Sequence, residues 1–292
     1  ESKKGWEWTI LTAAAQEVRW AIPDSRACAL SADESTALIG FPNRRGAALL
    51  DASSAAVRTE LRGIEHECYS GAFNITGDRV IARDIFGGPG MATLFSARTG
   101  ESIAQFTGVW GRVHPESFSP NGTQFVLVHD TGIVRVYRSD DGTLVREYSV
   151  FGDVPETRDL PPHAFAAFGP DSSWLVAQYR SSPVKAIDLT TGAVLAELPV
   201  PGKELWSTAL LGDRASLFTV SRSNTGAVWN LPSAHMALQL PTSPHAHYPT
   251  GATEVLGHLV TFSSPYDTSD STIWTWDIAS GRPLDRQETG RP

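Results

Sequence analysis

A short apolar strand, closed by a polar residue and a small-residue turn, recurs along the whole 292-residue chain. Its clearest copy is Ile273-Trp274-Thr275-Trp276-Asp277, with the turn ending at Gly281. The counterparts end at Trp8-Thr9, Leu50-Asp51, Phe95-Ser96, Tyr137-Arg138, Ile187-Asp188 and Trp229-Asn230. Successive copies lie 42, 45, 42, 50, 42 and 47 residues apart. A unit of that length cannot cover both faces of its own apolar strands, so it must stack on its neighbours. The chain also carries 25 glycines and 19 prolines, which suits many short strands joined by tight turns rather than long helices.

Each unit supplies more than the one strand. After it comes a turn such as Thr99-Gly100, Asp141-Gly142 or Thr191-Gly192, where Gly serves a positive φ. A further strand follows, as in Thr143 to Tyr148 and Ala193 to Leu198, with the period-two alternation of a half-buried strand. The other half of the unit reads as strand, hairpin turn and apolar strand. Examples are Ser117-Phe118-Ser119-Pro120-Asn121-Gly122 before Gln124–Val128, and Ala167-Phe168-Gly169-Pro170-Asp171 before Trp174–Ala177. Four strands per unit at this period predict an all-β chain of radially arranged, four-stranded antiparallel blades, a β-propeller.

The predicted blades cover residues 24–65, 66–112, 113–160, 161–204, 205–245 and 246–290, with a two-stranded half blade at 5–23 and no interdomain linker. The chain is thus expected to be one propeller domain over 1–292. Either six blades close alone, or a seventh is completed by strands from outside this segment; the seven-blade plan is the preferred reading. The start at Glu1, without an initiator Met, reads as a piece excised from a larger protein.

A formal charge of −8, with no run of Lys or Arg longer than two, argues against bulk electrostatic binding of nucleic acid. No apolar run approaches the length of about 20 residues that spans a bilayer. The two cysteines, Cys28 and Cys68, are too few for a disulfide framework and are read as buried free thiols on neighbouring repeats.

These units resemble WD40 repeats, and the resemblance covers nearly the whole chain. Trp276-Asp277 matches the signature dipeptide; Trp229-Asn230 and Ile187-Asp188 are near forms. Asp130 and Asp270 fall where that family places a turn Asp that pairs with a histidine at the blade entrance, and His66, His114 and His163 lie near such entrances. Most other blades lack the Asp. The resemblance implies a rigid scaffold that binds proteins or peptides through its top face, rim and channel mouth.

Catalytic signatures are sparse. Ala186-Ile187-Asp188-Leu189-Thr190-Thr191-Gly192 is similar to the quinoprotein dehydrogenase repeat, but the Trp that repeat places four residues after the Gly is Ala196 here. It reads as a polar cap on a strand turn. His245, His247 and His258 could be imagined as metal ligands, but no Cys-x-x-Cys or His-Glu-x-x-His spacing occurs, and they read as solvated or capping histidines. There is no Gly-x-Ser-x-Gly elbow and no phosphate-binding loop. The expectation is therefore a non-catalytic, intracellular, cytoplasmic interaction scaffold with a protein or peptide partner and no cofactor or metal. A propeller enzyme (hydrolase, lyase or quinoprotein-like oxidoreductase) and a structural subunit of a large assembly are the alternatives. Trp110, Arg112, His114 and Trp206, near blade entrances, and Asp153 and Arg158, in a Pro-rich loop, are the predicted partner-binding residues.

Overall fold

The computed structural model describes residues 7–11, 18–23, 26–41, 46–64, 68–84, 90–152, 164–179, 182–198, 205–211, 214–221, 226–240, 249–255, 258–263, 271–277, 280 and 282–289. Strands β1 (Glu7–Leu11) and β2 (Val18–Pro23) form a two-stranded antiparallel sheet. Six four-stranded sheets follow, each with its strands in chain order. The first is β3 (Arg26–Leu30), β4 (Thr36–Gly40), β5 (Ala47–Asp51) and β6 (Val57–Leu61). The second is β7 (Cys68–Phe73), β8 (Arg79–Asp84), β9 (Ala92–Ser96) and β10 (Ser102–Phe106). The third is β11 (Val109–Trp110), β12 (Gln124–His129), β13 (Ile133–Arg138) and β14 (Leu144–Ser149). The fourth is β15 (Ala164–Phe168), β16 (Trp174–Tyr179), β17 (Val184–Asp188) and β18 (Val194–Leu198). The fifth is β19 (Leu205–Leu210), β20 (Ser216–Ser221), β21 (Gly226–Asn230) and β22 (His235–Leu240). The sixth is β23 (Pro249–Val255), β24 (His258–Ser263), β25 (Ser271–Asp277) and β26 (Pro283–Thr289).

The chain groups into two compact units. One comprises Glu1–Val150 with Ala164–Ala167, the other Phe151–His163 with Phe168–Pro292. In the first unit, successive sheets share their cores. Leu38 and Leu49 of one sheet pack with Phe73, Val80 and Phe95 of the next. Ile81 and Leu94 pack in turn with Phe118, Phe125, Leu127 and Tyr137 of the third. Cys28 and Cys68 lie on these adjoining sheets as thiols not joined by a disulfide; Cys68 is buried as expected but Cys28 only half-buried, and the Cys28 Sγ–H donates to the Cys68 carbonyl at 3.3 Å. In the second unit, Phe218, Val220 and Val228 pack with Trp276, and Trp274 stacks on Trp276 at 5.5 Å.

Burial follows strand position. Second strands are covered on both faces, so β8 and β12 are almost wholly buried rather than alternating. Fourth strands are the exposed ones: Leu144 to Glu147 of β14 face water while Tyr148 packs inward.

The repeated polar residue has a local task. Asp188 Oδ1 accepts the N–H groups of Thr190 (2.9 Å) and Thr191 (2.7 Å) and the Thr191 hydroxyl (2.8 Å). Asp51 does the same for Ser53 and Ser54, and Asp277 for Ser280. Gly100, Gly142 and Gly192 then take φ of 71–76°, as their turns require. The hairpin turns between first and second strands close likewise: Asn121 Oδ1 accepts Thr123 N–H at 3.1 Å, and Asp171 Oδ1 accepts Ser173 N–H at 3.0 Å. Because the strands are antiparallel, all of these capped turns lie at one end of their sheets.

Trp229, 2% exposed, donates its indole N–H to the Thr219 hydroxyl at 2.8 Å. Replacing Trp229 with Phe leaves that buried hydroxyl without this donor. Urea denaturation is expected to show a loss of about 1–2 kcal/mol.

Candidate binding surface

At the opposite end of the sheets, the connections run from second to third strands and from each sheet to the next. Here the third sheet departs from the simple repeat. Its first strand is only β11, which pairs Val109 with His129 and Trp110 with Val128. The chain then leaves the ladder and makes a 3-10 turn at Pro115–Ser117, where a strand was expected from Ser117. It rejoins β12 only through a single bridge, Phe118 to Phe125. Pro115 has no N–H to give a ladder and its fixed φ suits the start of such a turn. The Ser117 hydroxyl holds it, accepting from His114 N–H at 3.1 Å and donating to the Ala166 carbonyl at 3.0 Å.

This break puts Trp110, Arg112 and His114 beside the second sheet. The Arg112 guanidinium lies 4.8 Å from the Tyr69 ring centroid and donates to the Tyr69 hydroxyl at 2.6 Å. Val113 N–H donates to the Ser70 hydroxyl at 3.1 Å. From the end of β8, Arg83 donates through Nε and Nη2 to the Val109 carbonyl at 3.4 and 3.2 Å. The Asp84 carboxylate next to it accepts Met91 N–H at 2.8 Å. Arg83 is 7% exposed, and burial holds its guanidinium below its ordinary pKa. Burial, and then the Arg112 charge, push the half-buried His114 down to about 4, so its ring is neutral at pH 7. The Trp110 indole nitrogen is shut off from solvent and, among the described residues, has no hydrogen-bond partner.

Three of the predicted partner-binding residues, Trp110, Arg112 and His114, therefore lie together. Trp206 is on β19, within the second unit. Asp153 and Arg158 lie outside the described residues, as do Asp270, His66, His163, His245 and His247. Asp130 sits in the β12–β13 turn, its N–H bonded to the Gly108 carbonyl at 2.7 Å. Among the described residues no hydrogen bond joins it to His114, so that pair does not form the expected network. The buried histidine of this blade's ladder is His129, bonded through Nε2 to the Tyr137 hydroxyl at 2.8 Å. Tyr69, Arg83 and Asp84 were not singled out in the sequence. The signal was there: Val80-Ile81-Ala82-Arg83-Asp84 runs two charges onto the end of a strand too apolar to face water. Among the described residues there is no group of three acidic, His or Cys side chains that could hold a metal, and no helix long and apolar enough to cross a membrane.

The sheets define a WD40-like β-propeller fold. The chain is similar to the Cps50 (Swd1) β-propeller domain of Myceliophteria thermophila, with TM-score 0.67 and 10% identity over 89% of this chain and 85% of that one. It is similar to the C-terminal WD40 domain of Sif2, with TM-score 0.65 and 13% identity over 87% and 67% of the two chains. It also resembles BamB from Moraxella catarrhalis, with TM-score 0.62 and 13% identity over 94% and 81%. No protein-family model matches the sequence. No curated protein matches it either.

Proposed function

We propose that this propeller is a non-catalytic interaction scaffold inside the cell, within a larger protein or complex, that holds a protein or peptide partner at the loop end around Trp110, Arg112 and His114. One observation carries the reading. Among the described residues the Trp110 indole N–H has no partner, and two positions on in the same segment an exposed Arg112 is stacked on Tyr69. Trp, Tyr and Arg are the residue types that dominate binding hot spots, and a rigid sheet holds these three in place. The opposite end of the sheets satisfies its own polar groups in capped turns, which leaves little for a partner to gain. Trp206, Asp153 and Arg158 are proposed as further partner-binding residues in their own right.

The test is affinity capture with the immobilised protein and with Trp110→Ala and Trp206→Ala. A true partner should bind Trp110→Ala about 30-fold more weakly, the scale of a Trp hot spot. If the retained proteins and their affinities are the same for all three forms, this surface is not the binding site.

A further inference from the structure

Cys28 and Cys68 stand on the first strands of neighbouring sheets, β3 and β7, which lie against each other. Two features of the backbone bring them together. The first is a β-bulge: Ala27 pairs with Ile39 and Ala29 with Leu38, so Cys28 is the extra residue of β3. A bulge re-aims the side chain it carries. Cys28 and Ala29, though consecutive, both pack against the core that contains Cys68, which an unbroken pleat would not allow. The second feature is Gly40 on β4, opposite Arg26 in the same ladder. A Cβ at Gly40 would stand 2.5 Å from the Cys68 carbonyl oxygen and 2.9 Å from the Cys68 Cβ. The bare glycine therefore lets Cys68 seat directly on the first sheet. The result is the 3.3 Å contact between the Cys28 Sγ and the Cys68 carbonyl oxygen, and the Cys68 Cα lies only about 2.4 Å beyond that oxygen. The two thiols differ in access: Cys28 is half-buried, whereas Cys68 is fully buried.

We infer that Cys28 and Cys68 form a peroxide-responsive pair that closes to a disulfide, stapling the first sheet to the second. This stands apart from the interaction reading above. Cys28, the less buried thiol, reacts first. Its thiolate attacks one oxygen of hydrogen peroxide, the O–O bond breaks, and the hydroxide that leaves takes up the thiol proton as water. Two electrons pass from sulfur to peroxide, and Cys28 becomes a sulfenic acid. The Cys68 sulfur then attacks the Cys28 sulfur. The S–S bond forms, the S–O bond breaks, and hydroxide leaves with the Cys68 proton as a second water. Cys68 needs no path to solvent for this step, because its reaction partner comes to it on the next strand. Closure asks the two side chains to rotate while β3 and β7 stay in place. A dithiol reductant reverses it by exchange.

The test treats the folded chain with dilute hydrogen peroxide, then blocks remaining thiols with N-ethylmaleimide in denaturant. Tryptic peptides 27–44 and 63–79 should be recovered joined, two mass units lighter than their sum, with neither cysteine alkylated. The joined form should melt about 5 °C or more above the reduced one, the scale of closing a loop across 40 positions, and dithiothreitol should restore the lower midpoint. Cys68→Ser should stop at the sulfenic acid, so that dimedone labels Cys28. Cys28→Ser should leave Cys68 at least about tenfold slower to oxidise; if the buried Cys68→Ser fails to fold, this variant still decides. Separate alkylated peptides after oxidation, a link only between two copies of the chain, or a link that forms only in denaturant overturns the assignment. So does Cys68 oxidising at an unchanged rate in Cys28→Ser, or a joined form that melts no higher than the reduced one.

Discussion

Gly111→Ala is expected to be among the most damaging single-methyl changes in the chain. A Cβ at Gly111 would stand 1.6 Å from the Ala164 carbonyl oxygen and 2.3 Å from its carbon. Both are backbone atoms, so no rotamer change can clear them, and the Arg112 N–H to Ala164 carbonyl bond at 3.2 Å ties the two segments together. The φ of +80° adds about 1 kcal/mol for any L side chain. The total loss should be about 3 kcal/mol or more in urea denaturation. Gly152→Ala isolates the conformational part, because Gly152 also has positive φ (59°) but nothing within 4 Å of its added Cβ. It should cost about 1 kcal/mol. Equal stability of the two variants would mean that the Gly111 approach is not tight. Since Gly111 links Trp110 to Arg112, the same variant should also lose partner capture even where enough of it folds.

Acidification should destabilise the protein well before its carboxylates protonate. Burial, then the Arg135 charge, push His129 down to about 4, and burial, then Arg112, do the same to His114. An unfolded imidazole takes up its proton near pH 6.5. Between about pH 6.5 and 4 the unfolded chain therefore binds more protons than the folded one, and stability falls as pH falls. Each histidine should cost about 2–3 kcal/mol between pH 7 and 4.5. The capped carboxylates act in a lower window. Hydrogen bonds from Ser31 and Ser35 hold Asp33 at about 2, and Arg138 holds Asp140 at about 2, so whatever they contribute is lost only as pH falls from about 4 towards 2. Denaturation midpoints at pH 7, 5.5 and 4.5 would show this, and His129→Gln should flatten the curve by about half. A midpoint constant from pH 7 to 4.5 would count against the buried, neutral histidines.

The frame was legible in the sequence because its determinants are local. A third-strand residue followed two or three positions later by Ser or Thr, as in Asp51, Asp188 and Asp277, carries its own turn cap. Those residues therefore marked the strand ends at the right spacing. The binding surface was only half legible. Trp110, Arg112 and His114 stood out as polar and aromatic residues near a blade boundary. Their partners Tyr69, Arg83 and Asp84 lie 26 to 43 residues earlier in sequence, and only the packing of two sheets brings them together. The interrupted first strand at Val109–Trp110 was equally hidden, because the Phe118-Ser119-Pro120-Asn121-Gly122 hairpin signal that follows it is intact. Among the described residues the Asp130–His114 pair is absent for the same reason: the family pattern fixes positions along the chain, while the 3-10 turn ties the His114 N–H to the Ser117 hydroxyl.

The self-contained turn caps carry an evolutionary corollary. A substitution within one of them answers only to residues two or three places away, so each unit can drift without a compensating change in its neighbours. The written signature of the repeat then erodes one position at a time while the hydrogen-bonded frame persists, and two chains can keep a common backbone at 10% identity.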